Sequence, residues 1–199
     1  NYDTRDVYWN PGRGIIISQH LIKNNGIDPK AFSLTRWDQS YSFFYSKDLL
    51  DKKTVFAVNI SSKVKSGKKE EIWLDYLGGQ ATVRGWKIPD SSLYYSELES
   101  FRFGHESIYS SFEIRREIIP KYATSLKIEF GFLLVFFADI GFIAKDFNDI
   151  NYQEPISGTG LGVRIPFPIV NVLRLDYGWG YYNNRWNTGS FHFGIGQKF

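Results

Sequence analysis

Residues 33–45 read Ser33-Leu34-Thr35-Arg36-Trp37-Asp38-Gln39-Ser40-Tyr41-Ser42-Phe43-Phe44-Tyr45, and their period decides the fold. Trp37, Tyr41, Phe43 and Tyr45 fall on one face, and Arg36, Asp38, Ser40 and Ser42 on the other. That is the two-residue period of a strand with one apolar side. Thr54 to Lys63 repeats it, with Phe56, Val58 and Ile60 against Asn59, Ser61 and Lys63. Ile108, Phe112 and Ile114 oppose Tyr109, Ser111, Glu113 and Arg115. Leu126, Ile128, Phe130, Phe132, Leu134 and Phe136 oppose Lys127, Glu129, Gly131 and Asp139. Leu161, Val163 and Ile165 interleave with Gly160, Gly162 and Arg164 before Pro166-Phe167-Pro168, and Leu173, Leu175, Tyr177 and Trp179 face away from Arg174 and Asp176. At the end, Phe191, Phe193, Ile195 and Phe199 alternate with His192, Gly194, Gly196 and Lys198.

With a short β-branched segment at 14–22 and a strand end near Tyr2, the count is about nine strands. Each is about 10 residues long, the length of a tilted membrane-spanning strand. Asn10-Pro11-Gly12, Ser66-Gly67 and Asn183-Asn184 supply turns, and Lys47 to Lys53 and Lys65 to Glu71 read as charged links. No convincing helix, internal repeat or second domain interrupts the series, so residues 1–199 read as one all-β unit.

Alternation alone does not separate a soluble sandwich or lipocalin-like barrel from a membrane barrel, because turning the sheet inside out leaves the same string. Three features favour the membrane. Aromatic residues make up 18% of the chain and gather at strand ends, as interfacial girdles do. The polar faces carry charges of both signs beside glycines, which suits a wet lumen with closely approaching loops. The chain ends on an aromatic residue of an alternating segment. No apolar run reaches the roughly 18 residues of a spanning helix; the stretch from Phe130 to Ile143 is broken by Gly131, Asp139 and Gly141.

A net charge of +3, with basic residues scattered, argues against nucleic acid as a partner. There is no cysteine, hence no disulfide, thiolate metal site or cysteine nucleophile. Bacterial single-chain barrels have an even number of strands, so nine implies one miscounted strand or strands ahead of Asn1. Asn1 is not a start methionine and the chain has no Met, which points to a processed chain or a piece of a longer one.

Between the second and third clear alternations lies Gly78-Gly79-Gln80-Ala81-Thr82-Val83-Arg84-Gly85-Trp86. On composition alone it is a surface turn with one cation. It also resembles the sixth-loop motif of the BamA/TamA-type outer-membrane insertase superfamily, with Trp86 where members usually carry Phe or Tyr. Asp3-Thr4-Arg5-Asp6, Pro11 and Gly14 resemble a strand-turn element of that family. Ser111-Phe112-Glu113 and Phe137-Ala138-Asp139-Ile140-Gly141 fall where it places two lumenal acids. Gly158 to Arg164 and Leu173 to Tyr177 are similar to its penultimate strands, and His192 to Phe199 to its C-terminal targeting signal, with Gln197 where an apolar residue is usual.

The resemblance covers residues 2–199. It implies a transmembrane antiparallel β-barrel, of which this chain supplies about the last nine of roughly sixteen strands, without periplasmic POTRA repeats, and with the long loop folded into the lumen. Arg84 of the motif Gly78, Gly79, Val83, Arg84, Gly85 and Trp86 would then pair with Glu113 and Asp139 as a conformational lock. The residues' own alternative is that the two acids pair with Arg115, Lys127 or Arg164. His192, Phe193, Gly194, Gly196 and Phe199 would form one side of a lateral seam and the targeting signal.

The implied role is insertion of β-barrel proteins into the bacterial outer membrane, or translocation across it. The alternatives are a secretion pore for a passenger domain and an accessory subunit of a larger complex. Implied partners are outer-membrane lipid, client or passenger proteins and other complex subunits. No cofactor or metal is expected: His20, His105 and His192 share no metal-ligand spacing, and Ser107, Ser110 and Ser111 lack a nucleophile-elbow context. Gly158 to Gly162 lies in a strand, not at a strand-to-helix turn, so it is not a phosphate loop.

Overall fold

In a computed structural model of the chain, described for residues 1–25, 33–69, 73–90, 99–123, 129–167 and 171–199, strands carry nearly all the regular structure. In chain order they are β1 (Tyr2–Asp3), β2 (Arg13–Asn25), β3 (Ser33–Leu49), β4 (Lys52–Gly67), β5 (Asp75–Tyr76), β6 (Phe103–Gly104), β7 (Glu106–Ala123), β8 (Glu129–Ala144), β9 (Ile156–Phe167), β10 (Asn171–Tyr182), β11 (Arg185–Trp186) and β12 (Ser190–Ile195). Single 3-10 turns stand at Ser100–Arg102 and Phe147–Asp149.

The wall is one antiparallel sheet in the order β1-β2-β3-β4-β7-β8-β9-β10-β11, with β12 also paired to β10. Neighbours in space are neighbours in sequence, as in an up-and-down barrel. β5 and β6 pair with each other apart from the wall, inside the long connection from β4 to β7. The sheet curls far enough that Gln197 Nε2, beyond β12, donates to Trp9 O near the opposite edge at 2.5 Å.

Tight turns follow from local chemistry. Leu50 and Asp51 (φ 50° and 56°) join β3 to β4, and Asn183 and Asn184 (φ 47° and 60°) join β10 to β11. Two left-handed residues twist a hairpin in the sense of its strands. Lys47 to Lys53 therefore is not a link: all but Leu50 and Asp51 lie in strands, and Lys65 lies in β4. Near the start, Asp6 accepts from the N–H groups of Val7 and Gly12 at 2.9 Å each. Burial works against its charge, but these bonds hold its carboxyl below the usual carboxylate range. Gly14 (φ 126°) must be glycine, since a Cβ there would sit 2.7 Å from the Arg5 backbone.

The two faces answer the question that alternation leaves open. Trp37, Phe43 and Tyr45 of β3, Ile60 of β4, Leu134 and Phe136 of β8, Leu161 of β9, and Tyr177 and Trp179 of β10 point outward and are exposed. Ser42, Asn59, Ser61, Ser111, Glu113, Arg115, Asp139, Arg164, Arg174 and Asp176 point inward and are buried. Apolar outside and polar inside is the order a bilayer imposes, and it excludes the soluble sandwich.

Three details differ from the sequence reading. β3, β4, β7 and β8 run to 16–18 residues, longer than a span requires, because pairing continues past the apolar band into polar rims. The middle of the lumen is filled by the loop, so its charged groups are dry. The terminal strand stops at Ile195, and Phe199 turns inward instead of joining Phe191, Phe193 and Ile195 on the outer face. Leu126, Lys127, Ile128, Pro168 and Glu71 lie outside the described residues.

Phe136 sits near the middle of β8 on the outward face, 43% exposed. Phe136→Arg is expected to lower the unfolding free energy in lipid vesicles by about 2–4 kcal/mol, measured by urea titration.

Candidate functional site: a loop arginine locked in the barrel lumen

The loop reaches the lumen as a closed unit. Gly78 N–H donates to Thr82 Oγ1 (2.8 Å), whose hydroxyl donates back to Gly78 O (2.7 Å). Gly79 N–H donates to Trp86 O at 2.7 Å, closing the segment that carries Val83, Arg84 and Gly85. Buried Arg102 braces it from behind, donating to Leu77 O and Lys87 O at 3.3 and 2.7 Å, with its guanidinium 5.2 Å from the Trp86 ring.

A small apolar core seats this unit. Leu77 and Val83 of the loop are fully buried with Ile156 of β9, and Trp86, Phe101, Tyr109, Ile143 and Tyr182 pack around them. Trp86 donates from Nε1 to Ser157 O at 2.8 Å. The wall makes room by omitting side chains. A Cβ on Gly158 would lie 1.7 Å from Arg84 O, and one on Gly180 would lie 2.3 Å from the Trp86 ring. The glycines of β9 and β10 thus form the floor under the loop. Gly85 (φ 91°) approaches the Trp179 backbone as closely from the other side.

Arg84 has no exposed surface. Its Nε and Nη2 donate to the two oxygens of Asp139, each at 2.8 Å, and its backbone N–H adds a bond to Oδ2 at 2.9 Å. Nη1 donates to Glu113 Oε1 at 2.5 Å and to Asp176 Oδ2 at 3.3 Å. The guanidinium lies 3.8 Å from the Phe137 ring centroid, a cation–π contact on its face. Every nitrogen of the fork therefore has an acceptor, which is the condition for burying a guanidinium.

The structure thus brings Arg84, Glu113 and Asp139 together. Glu113 also accepts from Arg115 (2.7 Å) and Arg164 (3.1 Å), so the loop pairing and the wall pairing coexist. His192 joins from β12, its Nε2 accepting from Gly85 N–H at 2.9 Å, which fixes a neutral imidazole with the proton on Nδ1. Phe193 points outward. Gly194 lies beside the Arg174 guanidinium, while Gly196 (φ 80°) bends the chain out of β12.

Beyond that bend the chain re-enters the lumen. Lys198 Nζ donates to Asp139 Oδ2 at 2.9 Å and to Thr82 O at 2.5 Å. Phe199 stacks on Phe44 and faces Arg115. Asp176, Lys198 and Asn187, which donates to Gly85 O at 2.7 Å, are the partners that sequence reasoning missed. Asp176 and Lys198 each carried a signal, the polar phase they share with Arg174 and with His192.

At the outer rim Lys69 bridges Glu106 of β7 and Asp146 of the β8–β9 loop. Burial opposes its charge, but the two carboxylates hold its ammonium above the usual lysine range.

Asp139→Ala would leave Arg84 and Lys198 short of an acceptor. It is expected to destabilise the barrel by about 3–5 kcal/mol in urea titrations and to open Lys87 to trypsin. Arg84→Lys is expected to behave nearly as badly, because one ammonium cannot span Asp139 and Glu113.

No curated protein matches the chain. A family model described as the Omp85 superfamily domain matches residues 1–199, its whole length. With an inside-out antiparallel wall and a loop arginine seated among lumenal acids, the chain belongs to the Omp85 superfamily, a family of outer-membrane insertases and translocases.

Proposed function

We propose that this chain is the C-terminal part of a roughly sixteen-stranded barrel in the bacterial outer membrane, and that it assists insertion of β-barrel proteins there. The observation that carries the reading is the pairing of a locked lumen with a short terminal strand. β12 has six residues, its outward face is apolar, and its end bends inward at Gly196. Among the described residues β12 pairs with β10 alone, so its far edge is unpaired, and an unpaired edge in the membrane accepts a strand from another chain. Gly194 weakens this segment further, since glycine adds no packing and costs backbone entropy.

Insertion at such a seam is favoured over export through the lumen. Export would require the loop to leave its floor and Arg84 to give up three carboxylates, whereas strand addition at the edge leaves the lock in place. Client barrels, outer-membrane lipid and further complex subunits are the partners this role requires. The lock holds the wall around the seam in one conformation and performs no bond chemistry.

Arg84→Ala as the sole copy in cells is expected to lower the abundance of other outer-membrane β-barrel proteins several-fold at an unchanged level of the variant. Quantitative proteomics of outer-membrane fractions is the measurement. Normal client levels would overturn the reading.

A further inference from the structure

The charge balance of the lumen is uneven around β9 and β10. Among the described residues, Arg84, Arg115, Arg164, Arg174 and Lys198 are buried together with Glu113, Asp139 and Asp176, two more positive charges than negative. Arg164 and Arg174 stand directly opposite each other across β9 and β10. Both point inward, an arrangement in which like charges repel.

The three acids do not use up the donors. Arg164 gives Nη1 to Asp176 (2.5 Å) and Nη2 to Glu113 (3.1 Å), but its Nε has no acceptor among the described residues. Arg174 gives Nη2 to Gln80 at 3.2 Å, while its Nε and Nη1 have none, Nε standing 3.7 Å from Asp176. Arg115 also has two idle nitrogens, but its guanidinium lies against the Phe44 and Phe199 rings at 5.7 and 5.2 Å, which accounts for them. The Arg164–Arg174 pair has no such explanation. Gly194 makes room for the Arg174 fork, for a Cβ there would lie 2.4 Å from Gln80 Oε1 and 2.8–2.9 Å from the Arg174 guanidinium. Gln80, which holds Arg174, also lines a cavity of about 270 Å³ with Lys87, Ser190 and His192.

We propose that Arg164 and Arg174 form a binding site for an oxyanion, a carboxylate or phosphate group, in the lumen beside the terminal strand. Two planar forks on adjacent strands present donors that an oxyanion accepts in pairs, and its charge removes the repulsion between them. Gln80 is the loop's neutral stand-in for that ligand on Arg174. The group comes either from solution or from an acidic side chain of a polypeptide reaching the lumen. The site is independent of whether the barrel inserts clients, since its test is made on the isolated protein.

Full-length protein folded in detergent micelles is titrated with sodium phosphate, and separately with N-acetylglutamate amide, against sodium chloride at equal ionic strength. Thermal unfolding is followed by tryptophan fluorescence. A saturable rise of a few degrees with either probe is expected. Half-saturation is expected to weaken about tenfold in Arg174→Gln and to recover in part in Arg174→Lys. Heat-shifted gel migration checks that these variants fold. Gln80→Ala, which frees Arg174, is expected to tighten half-saturation whether or not Arg174→Gln folds. Saturation at lower concentration with phosphate assigns the ligand to solution, and with the glutamate derivative to a polypeptide. No shift beyond chloride with either probe, or no change of half-saturation in Gln80→Ala and Arg174→Gln, would overturn the site.

Discussion

A guanidinium taken out of water has to be met on every side, and Arg84 sets that demand at the centre of this barrel. Its position explains features that are otherwise unrelated. Asp139, Glu113 and Asp176 come from three different strands because one carboxylate cannot occupy all the donors of the fork. Gly158 and Gly180 are glycine because the loop backbone and the Trp86 ring occupy the space of their side chains. His192 is neutral because it must accept from Gly85.

The loop also supplies what a membrane barrel lacks. A wall that turns its apolar side to lipid gains no hydrophobic core from that side. Here Leu77 and Val83 bring a small core with them, and Arg102 and Trp86 stiffen it from behind. Wall and loop therefore form one packed body at this level.

Much of this could be read from residue order. Period-two alternation located seven of the wall strands, and the phase of Glu113 and Asp139 put both acids on the polar side. What alternation could not supply was the sign of the sheet, because both faces of a strand have the same period; the exposure of Trp37, Phe43 and Trp179 settled it. Strand lengths were underestimated because rim residues such as Lys47 and Lys65 pair without a readable face. Asp176 and Lys198 were missed as partners because they reach Arg84 and Asp139, respectively, only through the curl of the sheet, which local sequence does not encode. The bend at Gly196 was hidden by an alternation that runs formally to Phe199 although the backbone leaves the strand.

The Arg84 contacts also set a clock. Its partners lie 55 and 92 residues further along the chain at Asp139 and Asp176, and that of Gly85 lies 107 residues on, at His192. Contacts so distant in sequence are slow to form, since the intervening chain must be ordered before they reward it. The loop is made early yet can dock only after β8, β9, β10 and β12 stand in place. Until then its arginine remains hydrated and its aromatic residues exposed. The lock is thus a late native contact, and its closure reports that these strands have assembled.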